Sequence, residues 1–325
     1  VKKIDIIELI LKDRSCDVQI AMAAPIFAPT NIALCKYWGK RDAELNLPMT
    51  NSLSISLPDK GASTLLESSE QNEIIVNNQS IALSSSFGKR LIEFLNLFPL
   101  RSCLRVTIDV NIPIAAGLAS SACGFASLVK ALNQFYAWQL SDRELSILAR
   151  LGSGSACRSL WDGFVEWHQG ERADGMDSHG ELLKDTWPEL NIEVLLVSEK
   201  EKSISSRQAM EHTIKTSAAY HQWPQKIDAD LRALKQAIHE KDFTLLGETA
   251  ESNALMMHAM MLTAQPPIQY STPQTLALMQ KIWNLRREGL LLYFTQDAGP
   301  NLKILFLEKD KLQVNQSINE LSLNQ

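Results

Sequence analysis

At 325 residues, 45% of them hydrophobic and 21% charged, the chain can bury a large core and has room for about two domains. Its formal charge of −5 excludes a general nucleic-acid binder, which needs a broad basic surface. Local basic clusters therefore point to a small anionic ligand, and no apolar run of about 18 residues offers a membrane span.

Residues 3 to 12 predict an amphipathic leader helix, with Ile4, Ile7, Leu9, Ile10 and Leu11 mostly on one face. Asp5, Glu8, Lys12 and Asp13 cut the apolar stretch and exclude a signal peptide. Residues 18 to 28 and 53 to 57 read as strands, with the turn-rich "GKRDAELNLPMTN" as a long hairpin excursion between them. Short strands follow at 63 to 67 and 73 to 76, then helical spacing over 84 to 97. "LRVTIDV" (104 to 110) alternates strictly, so Leu104, Val106, Ile108 and Val110 share the buried face of a strand.

Helices are expected near 119 to 137, 141 to 150 and 154 to 160, and strands near 162 to 167 and 192 to 198. Three or four longer helices fill 203 to 262. A further helix over 272 to 288 has Thr272 as N-cap and Pro273 at its first position. "GLLLYFTQ" and "LKILFLE" read as a buried strand pair. Strands and helices mix without a βαβ repeat, so the fold class is α+β, with a boundary in "DTWPELN" dividing 1–190 from 191–325. No internal repeat or low-complexity tract stands out. Five cysteines without a CxxC pair read as reduced thiols in a cytosol, and six histidines without HExxH or other metal spacing give no zinc site.

Four stretches could carry chemistry. "IPIAAGLASSACGFASL" (112 to 128) follows a strand and opens a helix with small residues that let a backbone approach a ligand. Ser120 and Ser121 fall at the helix start, where free N–H groups suit a phosphate. The stretch matches neither Walker A nor GxGxxG, and tight packing through alanines is the competing reading. "GSGSACRS" (152 to 159) offers the hydroxyls of Ser153 and Ser155, with helix-capping geometry, and the planar fork of Arg158; a loop with a surface arginine is the alternative.

"QDAGPN" (296 to 301) puts Asp297 at a strand end, where a carboxylate can orient or deprotonate a hydroxyl, although turns use the same letters. "KYWGKRD" (36 to 42), if extended, points Lys36, Trp38 and Lys40 to one side and Tyr37 to the other. Two ammonium groups on one face favour a diphosphate, and a solvated surface run is the alternative. "ALMMHAMML" (254 to 262) reads as helix core, with His258 a satisfied core histidine, and Arg286 and Arg287 as a solvated helix end.

Together, "APTNIALCKYWGKRDAELNLPMTNSLSISL", "PIAAGLASSACGFASL", "GSGSACRSLWDGFVEW" and "QDAGPN" resemble the diphosphomevalonate decarboxylase family of the GHMP kinase superfamily. The match runs from about residue 28 to 308, and "VSEKEKSISSRQAMEHTIKTS" and "PPIQY" also resemble the family. The resemblance implies two α+β lobes with the active site between them, the first binding ATP. It implies that ATP, with Mg2+, phosphorylates the 3-hydroxyl of mevalonate 5-diphosphate, and that loss of phosphate and carbon dioxide then gives isopentenyl diphosphate.

By the same resemblance Asp297 orients or deprotonates the 3-hydroxyl, Arg158 grips the substrate carboxylate, and Lys36 lies near the reacting phosphate. Tyr37, Lys40, Ser153 and Ser155 hold substrate, with Lys40 facing its diphosphate. Residues 113 to 124 form the ATP phosphate loop through Pro113, Gly117, Leu118, Ser120, Ser121 and Gly124. The family resemblance also suggests a homodimer, while the cysteines suggest a cytoplasmic protein, and charge and hydropathy suggest no nucleic-acid or membrane partner.

Three departures stand out: a leader of about 20 residues, Cys123 inside the loop, and "SISSRQAM", where Ser206, Arg207 and Ala209 differ from a Ser-Ser-Thr-x-Gly-Met pattern. The nearest alternatives are a phosphomevalonate decarboxylase and a mevalonate 3-kinase. A non-catalytic binding protein of the same fold is the alternative from another class.

Overall fold

The computed structural model describes residues 1–18, 24–112, 120–198 and 204–323. In chain order its elements begin with helix α1 (Lys3–Leu11) and strands β1 (Ile26–Cys35), β2 (Lys40–Asp42), β3 (Leu47–Pro48), β4 (Ser52–Ser69), β5 (Glu73–Val76) and β6 (Gln79–Ser80). Helix α2 (Ser86–Leu95), β7 (Cys103–Val110), helices α3 (Ser120–Phe135) and α4 (Asp142–Gly152), β8 (Phe164–Trp167), β9 (Gly180–Leu182) and β10 (Leu190–Leu195) follow. Helices α5 (Ser206–Thr216), α6 (Trp223–Glu240), α7 (Phe243–Leu262) and α8 (Pro273–Arg287) lead to β11 (Leu292–Gln296), β12 (Leu302–Leu307) and α9 (Lys311–Leu323).

The 18-residue β4 organises the larger sheet. It pairs antiparallel with β1 along most of its length, with β8 at its start and with β7 at its end. The two strands expected at 53–57 and 63–67 are thus one. The turn-forming letters Pro58, Asp59 and Lys60 sit where the register against β1 shifts, between Pro29 and Thr30, so they form a bulge rather than a turn. Gly61 returns the strand to its partner, because a Cβ there would meet the Ala28 carbonyl oxygen at 2.1 Å.

The strand expected at 18–28 begins instead at Ile26, and residues 19–23 lie outside the described residues. On β7, Leu104, Val106 and Ile108 are buried as expected. Helix α3 lies across β1 and β4, and α1 joins the same core. The buried stripe of α1 is Ile6, Ile7, Ile10 and Leu11, whereas Ile4 and Leu9 are exposed, so the expected face is rotated. The reason is helical spacing: 6, 7, 10 and 11 form one stripe, which 4 and 9 flank.

The second sheet, in the order β10-β12-β11, packs against α7 and α8. A second core joins α6 and α7 to Leu34, Cys35, Trp38 and Leu53 from the first sheet's side. Met257, Met260 and Met261 are buried in it, as expected of "ALMMHAMML". The helix expected at 154–160 is a 3-10 turn, Gly154–Arg158. Arg286 is not a solvated helix end: it pairs with the Glu251 carboxylate at 2.6 Å and lies 3.9 Å over the Tyr293 ring. Among the described residues no helix is long and apolar enough to cross a membrane.

Candidate active site

Lys36 follows directly on β1, and its backbone N–H donates to the Asn253 side chain of α7 at 2.8 Å. Asn253 in turn donates to Asp230 of α6 at 2.7 Å, and Asp230 pairs with Lys226. A buried network from two helices thus fixes where the Lys36 side chain starts. That side chain is 2% exposed, and its Nζ meets the Ala33 carbonyl at 2.8 Å and Asp297 Oδ1 at 2.7 Å.

Asp297 stands just past β11, in a bend closed by the Gly299 N–H on its carbonyl and by Gln296 donating to the Gly299 carbonyl. Its other oxygen, Oδ2, faces Lys303 Nζ of β12 at 3.0 Å. Burial acts to raise the Asp297 pKa, but Lys303 and Lys36 outweigh it and hold the group well below the usual carboxylate range. Burial pulls the Lys36 pKa below that of a free lysine, against the opposing pull of Asp297. His258 of α7 lies with Nε2 3.2 Å from the Asp297 carbonyl, and burial, then Lys36, lowers its pKa to about 4. It is therefore neutral near pH 7, as a satisfied core histidine would be.

Arg158 ends the 3-10 turn and is 2% exposed, so it is not a surface arginine. Its guanidinium donates to Ser52 Oγ and, at 3.4 Å, to Asn31 Oδ1, and it lies 5.7 Å from the Trp167 ring. Asn31 also bonds Ser159 at 2.7 Å, so strands β1 and β4 hold both the arginine and its turn. Its Nε is buried without a protein partner among the described residues, and so is the hydroxyl of Tyr37. Orphaned buried groups cost about 1–3 kcal/mol each unless a ligand or water meets them. A fixed cation and a phenol, both with unmet hydrogen-bonding capacity, suit a polar anionic ligand.

Tyr37 packs on Trp167 with ring centroids 4.6 Å apart. Gly154 makes this possible, since a Cβ there would stand 2.9 Å from the Tyr37 hydroxyl. The "KYWGK" stretch is not extended in the expected way. Gly39, at φ +119°, turns the backbone, and Trp38 is buried against the second core. Lys40 donates to Asn46 Oδ1 at 2.6 Å. Its charged neighbours are Arg207, Lys3 and Arg90, whereas those of Lys36 are Asp297, Lys303 and Arg158. The two lysines therefore do not form one face. Burial and then those three cations pull the Lys40 pKa down to about 8.

Ser153 and Ser155 are half-buried beside Arg158. Neither hydroxyl caps the turn: Ser153 makes no side-chain cap bond, and Ser155 is held through its carbonyl by Asn31. The Ser153 hydroxyl lies instead 3.5 Å from that of Ser121, in the first turn of α3. Ser120 opens that helix, and Pro113, Gly117 and Leu118 lie outside the described residues. The first turn holds no acidic residue, and among the described residues a Cβ on Gly124 would meet nothing within 4 Å. A helix start whose first turn carries no carboxylate fits a nucleotide phosphate. Magnesium brought with ATP takes most of its ligands from phosphates and water. Among the described residues no three His, Cys, Asp or Glu side chains group to hold a metal ion.

Lys303, Asn253, Asn31 and Ser52 were not singled out in the sequence. Lys303 gave a signal, as the one charge inside the apolar run "LKILFL". The other three are ordinary polar letters, and only the fold brings them to Lys36 and Arg158. Arg207, in the first turn of α5, shares the electrostatic surroundings of Lys40 and Tyr37. The departure in "SISSRQAM" therefore adds a cation on the Lys40 side, while residues 199–203 lie outside the described residues.

Residues 28–180 match the family model of the diphosphomevalonate decarboxylase-like N-terminal domain, and residues 192–324 that of the mevalonate 5-diphosphate decarboxylase C-terminal domain. A diphosphomevalonate decarboxylase of Aspergillus fumigatus is 38% identical over 310 residues, covering 87% of this chain and 76% of the relative. The crystal structure of mevalonate diphosphate decarboxylase from Staphylococcus aureus superposes with a TM-score of 0.87 at 36% identity, covering 92% of both chains. MDDEF in complex with MVAPP, AMPPCP and magnesium gives 0.84 at 37% identity, covering 92% of this chain and 93% of that one. With both halves matched in order and the fold shared throughout, the chain belongs to the diphosphomevalonate decarboxylase family, of the GHMP kinase fold.

Proposed function

We infer that the chain catalyses ATP-dependent decarboxylation of mevalonate 5-diphosphate to isopentenyl diphosphate, as a step of isoprenoid biosynthesis. The observation that carries this reading is the ion pair between Lys36 and Asp297, with buried Arg158 in its electrostatic field. MDDEF, at 37% identity, holds MVAPP, AMPPCP and magnesium together, which supports the same ligands here.

The chemistry asks for three things. A tertiary alcohol is a poor leaving group and its phosphate a good one, so the 3-hydroxyl must be aimed at the γ-phosphoryl group of ATP. Asp297 accepts the hydroxyl proton as a hydrogen bond and fixes the oxygen's direction. Lys36, one bond from Asp297, offers its ammonium to the charge on the phosphoryl group in transfer. When phosphate leaves, positive charge builds at C3, and the carboxylate held by Arg158 supplies the electron pair as carbon dioxide departs.

Tyr37, Ser153 and Ser155 line the substrate beside Arg158, and Lys40 faces its diphosphate. Residues 113–124, with Ser120, Ser121 and Gly124, take the ATP phosphates at the start of α3, and magnesium supplies charge neutralisation there when bound. We assign ATP to the lobe 1–190, with residues 1–20 as its leader, and pair it with the lobe 191–325. The separate membership of the two sheets supports that division. A cytoplasmic homodimer is part of the same proposal.

The test is ADP release with mevalonate 5-diphosphate, the 5-monophosphate and mevalonate in parallel. Turnover with the diphosphate at least tenfold above the other two supports the reading. Preference for the monophosphate, or for mevalonate, replaces it with the corresponding relative, and no turnover with any of the three leaves a binding protein.

A further inference from the structure

Strand β12 is buried along its first five residues, and the second of them is Lys303, 1% exposed. Its register partners are Thr295 on β11 and Val194 on β10, neither of which carries charge. Burying an ammonium group is unfavourable by several kcal/mol unless it is paired. Its partner is the Oδ2 oxygen of Asp297 at 3.0 Å. The Oδ1 oxygen of the same carboxylate already belongs to Lys36 at 2.7 Å. One carboxylate is thus pinned by two ammonium groups on two segments far apart in the chain, and neither oxygen can rotate away without breaking an ion pair.

If Asp297 needed only charge compensation, Lys36 would supply it. A second buried lysine leaves a positive excess at the site, and Arg158 adds to it. Such an excess is unfavourable in the ligand-free fold and becomes favourable when an anion enters.

We propose that Lys303 is a positioning residue for the reaction: it locks the Asp297 carboxylate in one ionised orientation, so that Asp297 directs the substrate hydroxyl rather than removing its proton beforehand. Lys303 acts through Asp297 and does not touch substrate. This rests on the decarboxylase reading above.

The charged and titratable groups facing Asp297 are Lys36 after β1, Lys303 on β12, Arg158 in the 3-10 turn and His258 on α7. Replacing Lys303 removes one of the two ammonium groups, so the Asp297 pKa rises. His258 owes its low pKa to burial and to Lys36 and keeps both. Lys303 also lowers the Lys36 pKa, so replacing it raises that pKa and leaves Lys36 charged at acid pH; an acid limb that moves on replacing Lys303 therefore reports Asp297.

The experiment first establishes wild-type ADP and carbon dioxide release from mevalonate 5-diphosphate; failure there removes the reaction, not the role of Lys303. With turnover in hand, Lys303→Met is expected to lower kcat about 10- to 100-fold, with both KM values within about threefold. The acid limb of its kcat profile moves up by about one pH unit or more. In an Asp297→Asn background the same replacement should change the residual rate by less than about twofold, because the group it acts through is gone. Lys303→Gln, which keeps a donor without the charge, should show the same upward shift and serves as the second variant if Lys303→Met does not fold. An unmoved acid limb in whichever variant folds, or a full additional loss in the Asp297→Asn background, overturns the proposal.

Discussion

The side chain of Asn253 accepts the backbone N–H of Lys36 at 2.8 Å, joining residues 217 positions apart. This bond ties α7 to the end of β1 at the point where the proposed chemistry begins. Asn253→Leu leaves the Lys36 N–H and one oxygen of Asp230 without their partner in a buried setting. We expect a loss of about 2–4 kcal/mol in stability by urea unfolding, together with a lower kcat as Lys36 shifts. A stability change below about 0.5 kcal/mol would show that water replaces the amide without cost.

Gly154 lets Tyr37 lie against Trp167, and an added Cβ would press on the Tyr37 hydroxyl and the Trp167 ring, 2.9 and 3.1 Å away. Gly154→Ala should raise KM for the diphosphate substrate about tenfold, while KM for ATP stays near wild type. Steady-state kinetics with each substrate varied in turn separates the two. Equal rises in both would place Gly154 in general packing instead.

Arg158 is held by Ser52 and Asn31 and keeps a buried Nε without a protein partner among the described residues. Arg158→Lys retains charge but loses the planar fork. We expect kcat/KM to fall about 100-fold or more, with carbon dioxide and ADP falling together because one methylene separates the carboxylate from the carbon that bears the hydroxyl, so misplacing one misplaces the other. A variant that still makes ADP at the wild-type rate without carbon dioxide would confine Arg158 to the second step.

The pKa of Lys40, near 8, makes a pH prediction with a definite sign. Below that value Lys40 is an ammonium and attracts the diphosphate; above it the charge is lost. kcat/KM for the diphosphate substrate should therefore decline as pH rises through about 8, and Lys40→Met should flatten that limb at a lower plateau. A limb unchanged in Lys40→Met assigns it elsewhere. The neighbouring cations Arg207, Lys3 and Arg90 lower the pKa, so removing Arg207 should move the limb to higher pH.

Much of this was legible in the sequence, for reasons that differ by residue. Strand β7 could be read because one face is buried and the other is not, which imposes a period of two. Asp297 and Arg158 could be read because their motifs are local: a strand end followed by a tight bend, and a glycine-serine turn. The single long β4 could not, because Pro58, Asp59 and Lys60 carry turn chemistry, and only pairing with β1 shows them as a bulge. Helix α9 leaves little periodicity to read, because Val314 is its one fully buried apolar side chain among those described. Lys40 departs from the expected face because strict alternation does not carry across Gly39, whose positive φ breaks it. Lys303 shows the converse: a lone lysine in an apolar strand is a sequence signal for a buried ion pair, but its partner emerges only when β11 and β12 lie side by side.

The most direct measurement is the ratio of carbon dioxide to ADP released from mevalonate 5-diphosphate, ATP and magnesium by the wild-type protein, followed in the same reaction. The account predicts a ratio of about one throughout the time course, with loss of both products in Asp297→Asn. ADP without carbon dioxide would contradict it and leave a kinase that stops at the phosphorylated alcohol.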